Sequence, residues 1–399
     1  MVDMMKIESF KCENCGSTYM PNGDLMLCPK CKYPLLPIYN LNFLRGKFKI
    51  EKLKNRRPFL WRYWELLPTI KKKNIISLME GYTPIIESNR VKRKLGVKDL
   101  KFKLEYVNPT GSLKDRGSTM LISWLKQLGI KSIADDSSGN AAASISAYSS
   151  RAGIKCTIYM PEKTPTSKIV QALLYGAKVL VVAGGRTETA EKILTDMEKG
   201  KIYYASHNMS PYFLEGFKTF AYEIVEQLEG KLPDHIIFPV GGGSLFLGAY
   251  RGFVEAEEIG WIRHLPKLHI VQPEACNPIV KAYEKRSELV EPVEEKETVA
   301  GGLKIVNPPR GRSIMKALFK CNGTAISVKE EEIIEGYLLL AKEGIFAEPT
   351  SATVIPALKK LVEDEIIGRD ESVLLPITGF GLKDLKTAIN IAEKLKQYN

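Results

Sequence analysis

The sequence predicts an α/β protein with two doubly wound, open-sheet domains and a small cysteine-rich module at its N terminus. From Lys131 onward, short strand-like runs alternate with helical patterns, and the same alternation resumes at His235. Such alternation is typical of parallel sheets covered by helices on both faces. At 399 residues the chain is also long for a single compact core. We therefore expect two sizeable domains with a ligand in the cleft between them, at the carboxyl ends of strands.

These patterns divide the chain into four segments. Residues 1–45 form the cysteine-rich module, 46–100 a lead-in helix and strands packing on the large domain, 101–205 a small α/β domain, and 206–399 a large one. The predicted strands of the small domain are KSIAD, CTIYMP, AKVLVVAG and KIYYAS, and those of the large domain are HIIFPV, LHIVQPE and SVLLPITG. The aromatic stretch from Asn55 to Pro68 has helical spacing and predicts a docking helix.

Composition restricts the partners. Apolar residues make up 44% and charged residues 26% of the chain, as in an ordinary globular protein. With neither a membrane-length apolar run nor a signal-like N-terminal region, we expect a cytoplasmic protein without a membrane partner. The net charge of +12 raises the question of nucleic acid. Because the basic residues are dispersed and often alternate with Glu, no nucleic-acid partner is predicted.

Two CxxC pairs, Cys12 with Cys15 and Cys28 with Cys31, are separated by twelve residues. Each pair can present two thiolates from one tight turn to a tetrahedral ion, so the spacing predicts a structural zinc ribbon. Free or disulfide-bonded cysteines are the alternative, but disulfides are rare in the cytoplasm. A catalytically silent nucleic-acid-binding protein would rest on this ribbon and the net charge alone. The remaining cysteines are expected to be buried packing residues; they are Cys156, Cys276 and Cys321.

The stretch from Asn108 to Gly117 carries the first candidate for chemistry. Asn-Pro followed by Thr-Gly predicts a turn, and the apolar spacing after it predicts a helix whose first turn contains Lys114. A lysine at this position opposes the helix dipole, which lowers its proton affinity. Its amine is then a nucleophile toward an aldehyde. A solvated surface lysine is the alternative.

Two later loops share one pattern, in which a strand is followed by small residues and then a helix. Ser137-Ser138-Gly139-Asn140 follows KSIAD, and Gly241-Gly242-Gly243-Ser244-Leu245 follows HIIFPV. Such loops offer backbone N–H groups and the positive end of a helix dipole to an anion. The glycines of the second loop permit close backbone approach, which predicts a phosphate site.

In this order, NPTGSLKDRG, SSGNAAAS, GGGSL and TGFGLKD resemble the threonine synthase family. That family belongs to the pyridoxal-phosphate enzymes of the type II, tryptophan-synthase β-like fold, and its archaeal-type members carry an N-terminal zinc ribbon. The resemblance implies a lyase that converts O-phospho-L-homoserine and water into L-threonine and phosphate. It also implies pyridoxal 5'-phosphate as cofactor, structural zinc, and a homodimer. The ribbon is expected to be an appendage remote from the chemistry.

The resemblance also implies a role for each motif. Lys114 would bind the cofactor covalently and, once released, move protons between substrate carbons. Asn140 would hydrogen-bond the cofactor ring hydroxyl, and Thr378 would be the partner of the pyridine nitrogen. The cofactor phosphate would be bound by Gly241, Gly242, Gly243, Ser244 and Leu245, and the substrate by Ser137, Ser138, Gly139 and Asn208.

The segment from His207 to Gly216 departs from the family's usual pattern, which reads roughly NSxNPYRLEG. Phe213 stands where an arginine usually contacts the substrate phosphate, and His207-Asn208 replaces Asn-Ser. Another cation would have to compensate; the candidates are Lys218, Arg186, Lys168 and protonated His207. The departure leaves open a second function with the same cofactor. This would be β-elimination from serine or threonine, or β-replacement on an activated serine such as O-phosphoserine.

Overall fold

The computed structural model describes residues 6–21, 25–162, 164 and 166–396, without the side chains of residues 166–168, 186 and 396. In chain order the strands are β1 Ile7–Lys11, β2 Thr18–Tyr19, β3 Leu36–Tyr39, β4 Ile85–Glu87, β5 Asp99–Lys103, β6 Ser132–Asp135, β7 Lys155–Pro161, β8 Lys178–Val182, β9 His235–Pro239, β10 Lys267–Pro273, β11 Ala325–Val328 and β12 Ser372–Pro376.

The helices are α1 Arg90–Leu95, α2 Lys114–Gln127, α3 Asn140–Ala152, α4 Thr166–Leu174, α5 Arg186–Glu198, α6 Pro211–Gly216, α7 Lys218–Gln227, α8 Ser244–Glu258, α9 Pro278–Glu284, α10 Gly311–Lys320, α11 Glu330–Lys342, α12 Pro349–Ala352, α13 Val354–Glu363 and α14 Leu385–Lys396. Short 3-10 helices occupy Ile50–Leu53, Leu60–Leu66, Lys72–Asn74, Glu105–Val107, Gly301–Leu303 and Gly381–Asp384.

The chain forms two compact units, each built from two segments. The first unit comprises residues 1–82 and 108–219, and the second comprises residues 83–107 and 220–399. Each unit has its own mainly or wholly parallel sheet, so the predicted mixed α/β class is confirmed. Among the helices of the described chain, none combines the length and the apolar character that crossing a membrane requires.

In the first unit, β6, β7 and β8 form a parallel sheet in that order. Helices α3 and α5 pack on β7, and α2 packs on both α3 and α6. The run KIYYAS, predicted as a further strand, contributes only a bridge between Tyr204 and Ala134. This bridge nevertheless places the segment after Tyr204 beside the carboxyl end of β6.

The N-terminal part of the first unit is a three-stranded antiparallel sheet of order β2-β1-β3. Its CxxC pairs lie in tight turns, because Gly16 N donates to Cys12 O and Lys32 N donates to Cys28 O. Gly16 and Lys32 have φ values of +76° and +59°, the left-handed conformation that such turns need. The predicted ribbon therefore has both of its cysteine turns.

The predicted docking helix is a short 3-10 helix, Leu60–Leu66, rather than an α-helix. Pro58 and Pro68 flank it, and prolines limit how far a helix can extend. It docks on α2, where Trp61 Nε1 donates to Thr119 Oγ1 at 2.8 Å.

The second unit contains a six-stranded sheet of order β11-β10-β9-β12-β5-β4. Strands β11 to β5 are parallel, and β4 pairs antiparallel with β5. Its buried interior combines Phe102 of β5, Ile237 of β9 and Leu375 of β12 with side chains of α11 and α13. Because the strands are parallel, the loops that follow β9 and β12 lie at the same edge of the sheet.

Candidate active site

Lys114 begins α2, and the turn before it is built as the motif predicts. Gly111 N donates to Asn108 O at 2.8 Å, and Gly111 has a φ of +82° that a side chain would disfavour. The lysine side chain is half-buried, with Nζ 6.0 Å from the centre of the Phe217 ring. The structure therefore places the amine at a helix N terminus beside an aromatic face.

The next residue, Asp115, fixes this turn. Its carboxylate is fully buried and accepts from Thr110 N at 2.7 Å, from Thr110 Oγ1 at 2.6 Å and from Ser144 Oγ of α3 at 2.6 Å. Burial raises the pKa of the Asp115 carboxyl to about 6, although the bonds from Ser144 and Thr110 oppose the rise. Asp115 thus ties the lysine turn to α3.

A second buried carboxylate supports the same region. Glu80 accepts from Tyr148 Oη of α3 at 2.8 Å and from Leu78 N at 2.8 Å. Gly81 N donates to Asn108 Oδ1 at 2.9 Å, so the chain around Glu80 also contacts the lysine turn. Buried carboxylates with several donors are rigid anchors, because each lost bond would leave a buried polar group unsatisfied.

The loop predicted to contact substrate lies between β6 and α3. Gly139 is the residue before α3, and Gly139 N donates to Ser137 Oγ at 3.2 Å. Ser137 is nearly buried, whereas Ser138, Gly139 and Asn140 are partly exposed. Because the first N–H groups of a helix lack partners within the helix, this loop offers donors to a carboxylate.

His207 and Asn208 lie beside the same strand end. His207 Nδ1 is 2.9 Å from Asp135 Oδ1, and Asp135 is fully buried at the carboxyl end of β6. Asn208 Nδ2 is 3.0 Å from His207 Nε2. Asp136 lies 4.0 Å from the same imidazole, so a charged His207 would already face two carboxylates. This arrangement weakens the case for His207 as the cation that replaces arginine.

Phe213 is a packing residue rather than an empty position. Its ring is fully buried, packs edge-on against Phe217 and His207, and covers Gly117 of α2. A Cβ atom added at Gly117 would lie 2.6 Å from the Phe213 ring, so glycine is needed there. Position 213 therefore supports the helix that begins with Lys114.

Of the other three candidate cations, the structure describes the side chain of Lys218 alone. Lys218 Nζ lies 2.5 Å from Glu215 Oε2, and both side chains are fully buried, so this ammonium already has a carboxylate partner. The side chains of Lys168 and Arg186 lie outside the described residues. The expected compensating cation thus remains a prediction.

In the second unit, the glycine loop follows β9 and leads into α8. Gly243 precedes α8 with a φ of +80°. A Cβ atom at Gly243 would lie 2.3 Å from Ile314 Cδ1, and one at Gly241 would lie 2.9 Å from Gly302 O. Both positions therefore exclude side chains. The loop presents the N–H groups of Ser244 and Leu245 at a helix N terminus, which suits a phosphate.

Thr378 follows β12, the strand next to β9, and its side chain is buried. Ser351 Oγ accepts from Thr378 N at 3.0 Å and from Gly379 N at 3.1 Å. Those two bonds occupy both lone pairs of the Ser351 hydroxyl, so its hydrogen donates to Thr378 Oγ1 at 3.0 Å. Thr378 then directs its own hydrogen away from Ser351.

The four ribbon cysteines form a candidate metal centre. Cys12 Sγ lies 3.5 Å from Cys31 Sγ, and Cys15 Sγ lies 3.6 Å from Cys28 Sγ. All four sulfur atoms lie within 4.8 Å of one another. Tetrahedral zinc with bonds of about 2.3 Å separates its sulfurs by roughly 3.8 Å. The cluster therefore has the size and chemistry of a structural zinc site.

The structure brings the predicted residues together in two sets. Within the first unit, Asp115 joins the turn before Lys114 to α3, and Asp135, at the end of β6 before the Ser137–Asn140 loop, contacts His207 next to Asn208. Within the second unit, the glycine loop and Thr378 follow adjacent strands. Sequence reasoning missed the positioning residues. Asp115 lies inside a recognised motif and could have been found, whereas Ser351 is 27 residues from Thr378 and carries no local signal.

Comparisons with known proteins agree with this geometry. Residues 76–379 match the family described as pyridoxal-phosphate dependent enzyme. A threonine synthase from Methanocaldococcus jannaschii is 40% identical over 386 residues, covering 96% of this chain and 95% of the relative. A threonine synthase from Methanosarcina acetivorans is 38% identical over 386 residues, covering 96% and 94%.

Among solved structures, the processed form of threonine deaminase isoform 2 from Solanum lycopersicum is similar with a TM-score of 0.66 at 21% identity. The similarity covers 78% of this chain and 83% of that chain. At this level of identity it is evidence of a shared fold only. This chain belongs to the pyridoxal-phosphate-dependent enzymes and, within them, to the threonine synthase family. The resemblance inferred from the motifs is confirmed.

Proposed function

We propose that this protein is a threonine synthase that converts O-phospho-L-homoserine and water into L-threonine and phosphate. The observation that carries the proposal is the 40% identity to a threonine synthase over 95% of that relative's length. A match of this extent covers nearly the whole chain. The proposal therefore concerns the whole chain rather than one shared domain.

The residues present fit pyridoxal 5'-phosphate. In the Gly241–Leu245 loop, Gly241 and Gly243 have no room for a side chain, and the loop would offer backbone donors to the phosphate. Asn140 at the start of α3 would donate to the ring hydroxyl, and Lys114 would bind the aldehyde carbon. When bound, the cofactor supplies an electron sink for a substrate carbanion. Thr378, which donates rather than carrying a negative charge, would leave the pyridine nitrogen unprotonated. A weaker sink of this kind suits elimination and replacement, in which a leaving group departs promptly.

In this proposal the chain's own groups move the protons. The Lys114 amine would remove a proton from the substrate α carbon and then one from the β carbon, and phosphate would leave from the γ carbon with its bonding electron pair. The γ carbon would then take up a proton and become the methyl group, the oxygen of water would add at the β carbon, and the α carbon would regain a proton. Ser137, Ser138 and Gly139 would bind the substrate carboxylate at the start of α3, and Asn208 would contact the substrate from beside β6. Asp115 would keep the lysine turn in place throughout.

An assay of two products tests the proposal. Purified protein with pyridoxal 5'-phosphate should release inorganic phosphate and L-threonine in equal amounts from O-phospho-L-homoserine. Lys114→Ala serves as the inactive control. Phosphate release without threonine, or release that persists in the control, would contradict the assignment.

One observation favours a second candidate. Phe213 is fully buried against rings and backbone, so position 213 offers no cation to a substrate phosphate. The alternative keeps the cofactor and performs β-elimination from serine or threonine, or β-replacement on O-phosphoserine. Keto-acid release from L-serine or L-threonine that exceeds phosphate release from O-phospho-L-homoserine would favour this candidate. The same substrate panel therefore decides between the two functions.

We further propose that the ribbon binds one structural zinc ion, that the protein is a homodimer, and that it is cytoplasmic. The four sulfur positions support the zinc ion. The homodimer follows from the family resemblance, and the cytoplasmic location is the expectation drawn from the sequence. Metal analysis of the purified protein and light scattering with absolute mass determination test the first two, and cell fractionation tests the third.

A further inference from the structure

The ribbon reaches a buried ion pair at the end of α6. Tyr39, the last residue of β3, donates from Oη to Glu215 Oε2 at 2.8 Å. The same carboxylate oxygen lies 2.5 Å from Lys218 Nζ, and the ammonium lies 4.6 Å from the centre of the Tyr39 ring. Glu215 and Lys218 are both fully buried. Tyr39 therefore contacts both members of a charge pair that water does not reach.

A second contact joins the ribbon to the same helix. Phe10 of β1 packs edge-on against Tyr212 of α6, with ring centres 6.2 Å apart. On its other side Tyr212 stacks on Trp124 of α2, with ring centres 4.1 Å apart. Helix α6 thus lies between the ribbon and α2. The ribbon thus packs directly on α6.

Helix α6 has no space to move independently of the lysine turn. A Cβ atom at Gly216 would lie 1.8 Å from the carbonyl oxygen of Arg116, so the backbones of α6 and α2 are in direct contact. One residue further along α2, Gly117 lies under the Phe213 ring. Because these contacts involve backbone, a shift of α6 is transmitted to the first turn of α2, which contains Lys114.

The position of Tyr39 depends in turn on the metal. Segments of this size bury too little surface to fold alone, and structural zinc sites supply the missing folding free energy. The residues between Cys31 and Tyr39 include all of β3, which pairs with β1 directly before Cys12. Loss of the ion would therefore release the strand that positions the Tyr39 hydroxyl.

We infer that Tyr39 and Glu215 are positioning residues that make the geometry of α6 and of the Lys114 turn depend on metal in the ribbon. The inference rests on the proposed function only for its kinetic readout. Its structural readouts are the absorbance of the bound cofactor, which reports on Lys114, and the fluorescence of Trp124. Zinc in the ribbon is thus part of what shapes the substrate region, although it touches no reacting atom.

The test compares wild type and the Tyr39→Phe variant, each with zinc bound and after zinc removal, in the manner of a double-mutant cycle. Chelation of the wild-type protein should raise KM for O-phospho-L-homoserine about ten-fold or more, shift the cofactor absorbance and change the Trp124 signal. Trp124→Phe identifies that signal among the four tryptophans. With zinc bound, Tyr39→Phe should raise KM several-fold. Chelation should then raise the KM of the Tyr39→Phe variant by a smaller factor than it raises the KM of wild type, because both changes remove the same contact between the ribbon and α6.

A matched control removes a hydroxyl elsewhere. Tyr283→Phe, in α9 of the second unit, should match wild type in KM, absorbance and chelator response. If chelation unfolds the protein, KM, cofactor absorbance and Trp124 fluorescence of zinc-loaded Tyr39→Phe, compared with those of wild type, still test the inference. Unchanged absorbance, fluorescence and KM in Tyr39→Phe, or independent multiplication of the two effects, would overturn the inference. If wild type does not turn over O-phospho-L-homoserine, the proposed function fails, while absorbance and fluorescence still test the coupling.

Discussion

Gly216→Ala is the most direct test of how α6 supports the lysine turn. The added Cβ would lie 1.8 Å from Arg116 O, 2.6 Å from the Arg116 carbonyl carbon and 3.1 Å from Gly117 Cα. Ordinary contacts begin at about 3.4 Å. All three atoms belong to the backbone, so a change of rotamer cannot relieve the overlap. The two helices must separate by roughly 1.5 Å near their contact.

The size of the effect follows from that displacement. Overpacking of a close-packed interior costs about 1–3 kcal/mol, which should lower the melting temperature by several degrees. A misplacement of about 1 Å at reacting groups can reduce a rate on the order of 100-fold. We therefore expect kcat/KM for O-phospho-L-homoserine to fall by about that factor, while circular dichroism shows a folded protein.

Gly185→Ala provides the control. Gly185 is exposed before α5, and a Cβ atom there would meet only Glu188 Oε2, at 3.3 Å, on a flexible side chain. This variant should retain wild-type melting temperature and kcat/KM. If Gly216→Ala also had the melting temperature and kcat/KM of wild type, α6 could move without disturbing Lys114, and the proposed support of the lysine turn by α6 would be refuted.

Three further predictions concern single groups. Lys114→Ala should lose both the visible absorbance of the bound cofactor and turnover, while its circular dichroism stays unchanged. A borohydride-reducible bond to the cofactor in this variant would mean that another lysine binds the cofactor. Ser351→Ala should shift the cofactor absorbance and lower the melting temperature, because two buried N–H groups lose their acceptor at about 1–3 kcal/mol each; an unchanged spectrum would contradict the assigned hydroxyl direction. Burial lowers the pKa of His269 from 6.5 to about 3. Between these pH values the folded protein therefore binds fewer protons at this residue than the unfolded chain. The free energy of unfolding that this group contributes above pH 6.5 is lost as the pH falls toward 3. Between pH 7 and pH 5 the loss from this group is about 2 kcal/mol; urea unfolding of wild type and His269→Gln should differ in pH dependence by that amount, and parallel profiles would refute it.

The sequence predicts those parts of the molecule whose signals are local. Alternating strand and helix patterns predict the parallel sheets, because each element spans at most fifteen residues and has its own periodicity. The CxxC pairs and the turn before Lys114 are likewise readable, because the four cysteines lie within 19 residues of one another and the turn closes within four residues. The same holds for the Gly241–Leu245 loop, whose need for glycine follows from its place before a helix.

Contacts between distant residues are not readable in this way. Strand β5 pairs with β12 in the second unit, although β12 begins only at Ser372. The bond from Tyr39 to Glu215 spans 176 residues, and neither residue lies in a motif that suggests it. The predicted docking helix is present, but the sequence did not indicate that it is a 3-10 helix. Apolar spacing indicates which residues are buried, but the flanking prolines allow only a short 3-10 helix.

The pairing of β5 with β12 also bears on how the chain is synthesised. Strand β5 can pair early only with β4, because its other neighbour begins at Ser372, near the C terminus. At ~5–20 residues per second, a ribosome needs on the order of tens of seconds to proceed from Lys103 to Ser372. During that time one side of β5, whose Leu100 and Phe102 are buried in the folded protein, lacks its partner strand, and an unpaired strand edge is a known route to aggregation. The nascent chain is therefore most vulnerable before translation reaches β12, and slower synthesis should lower the yield of native protein more than it would for a protein whose strands pair in sequence order.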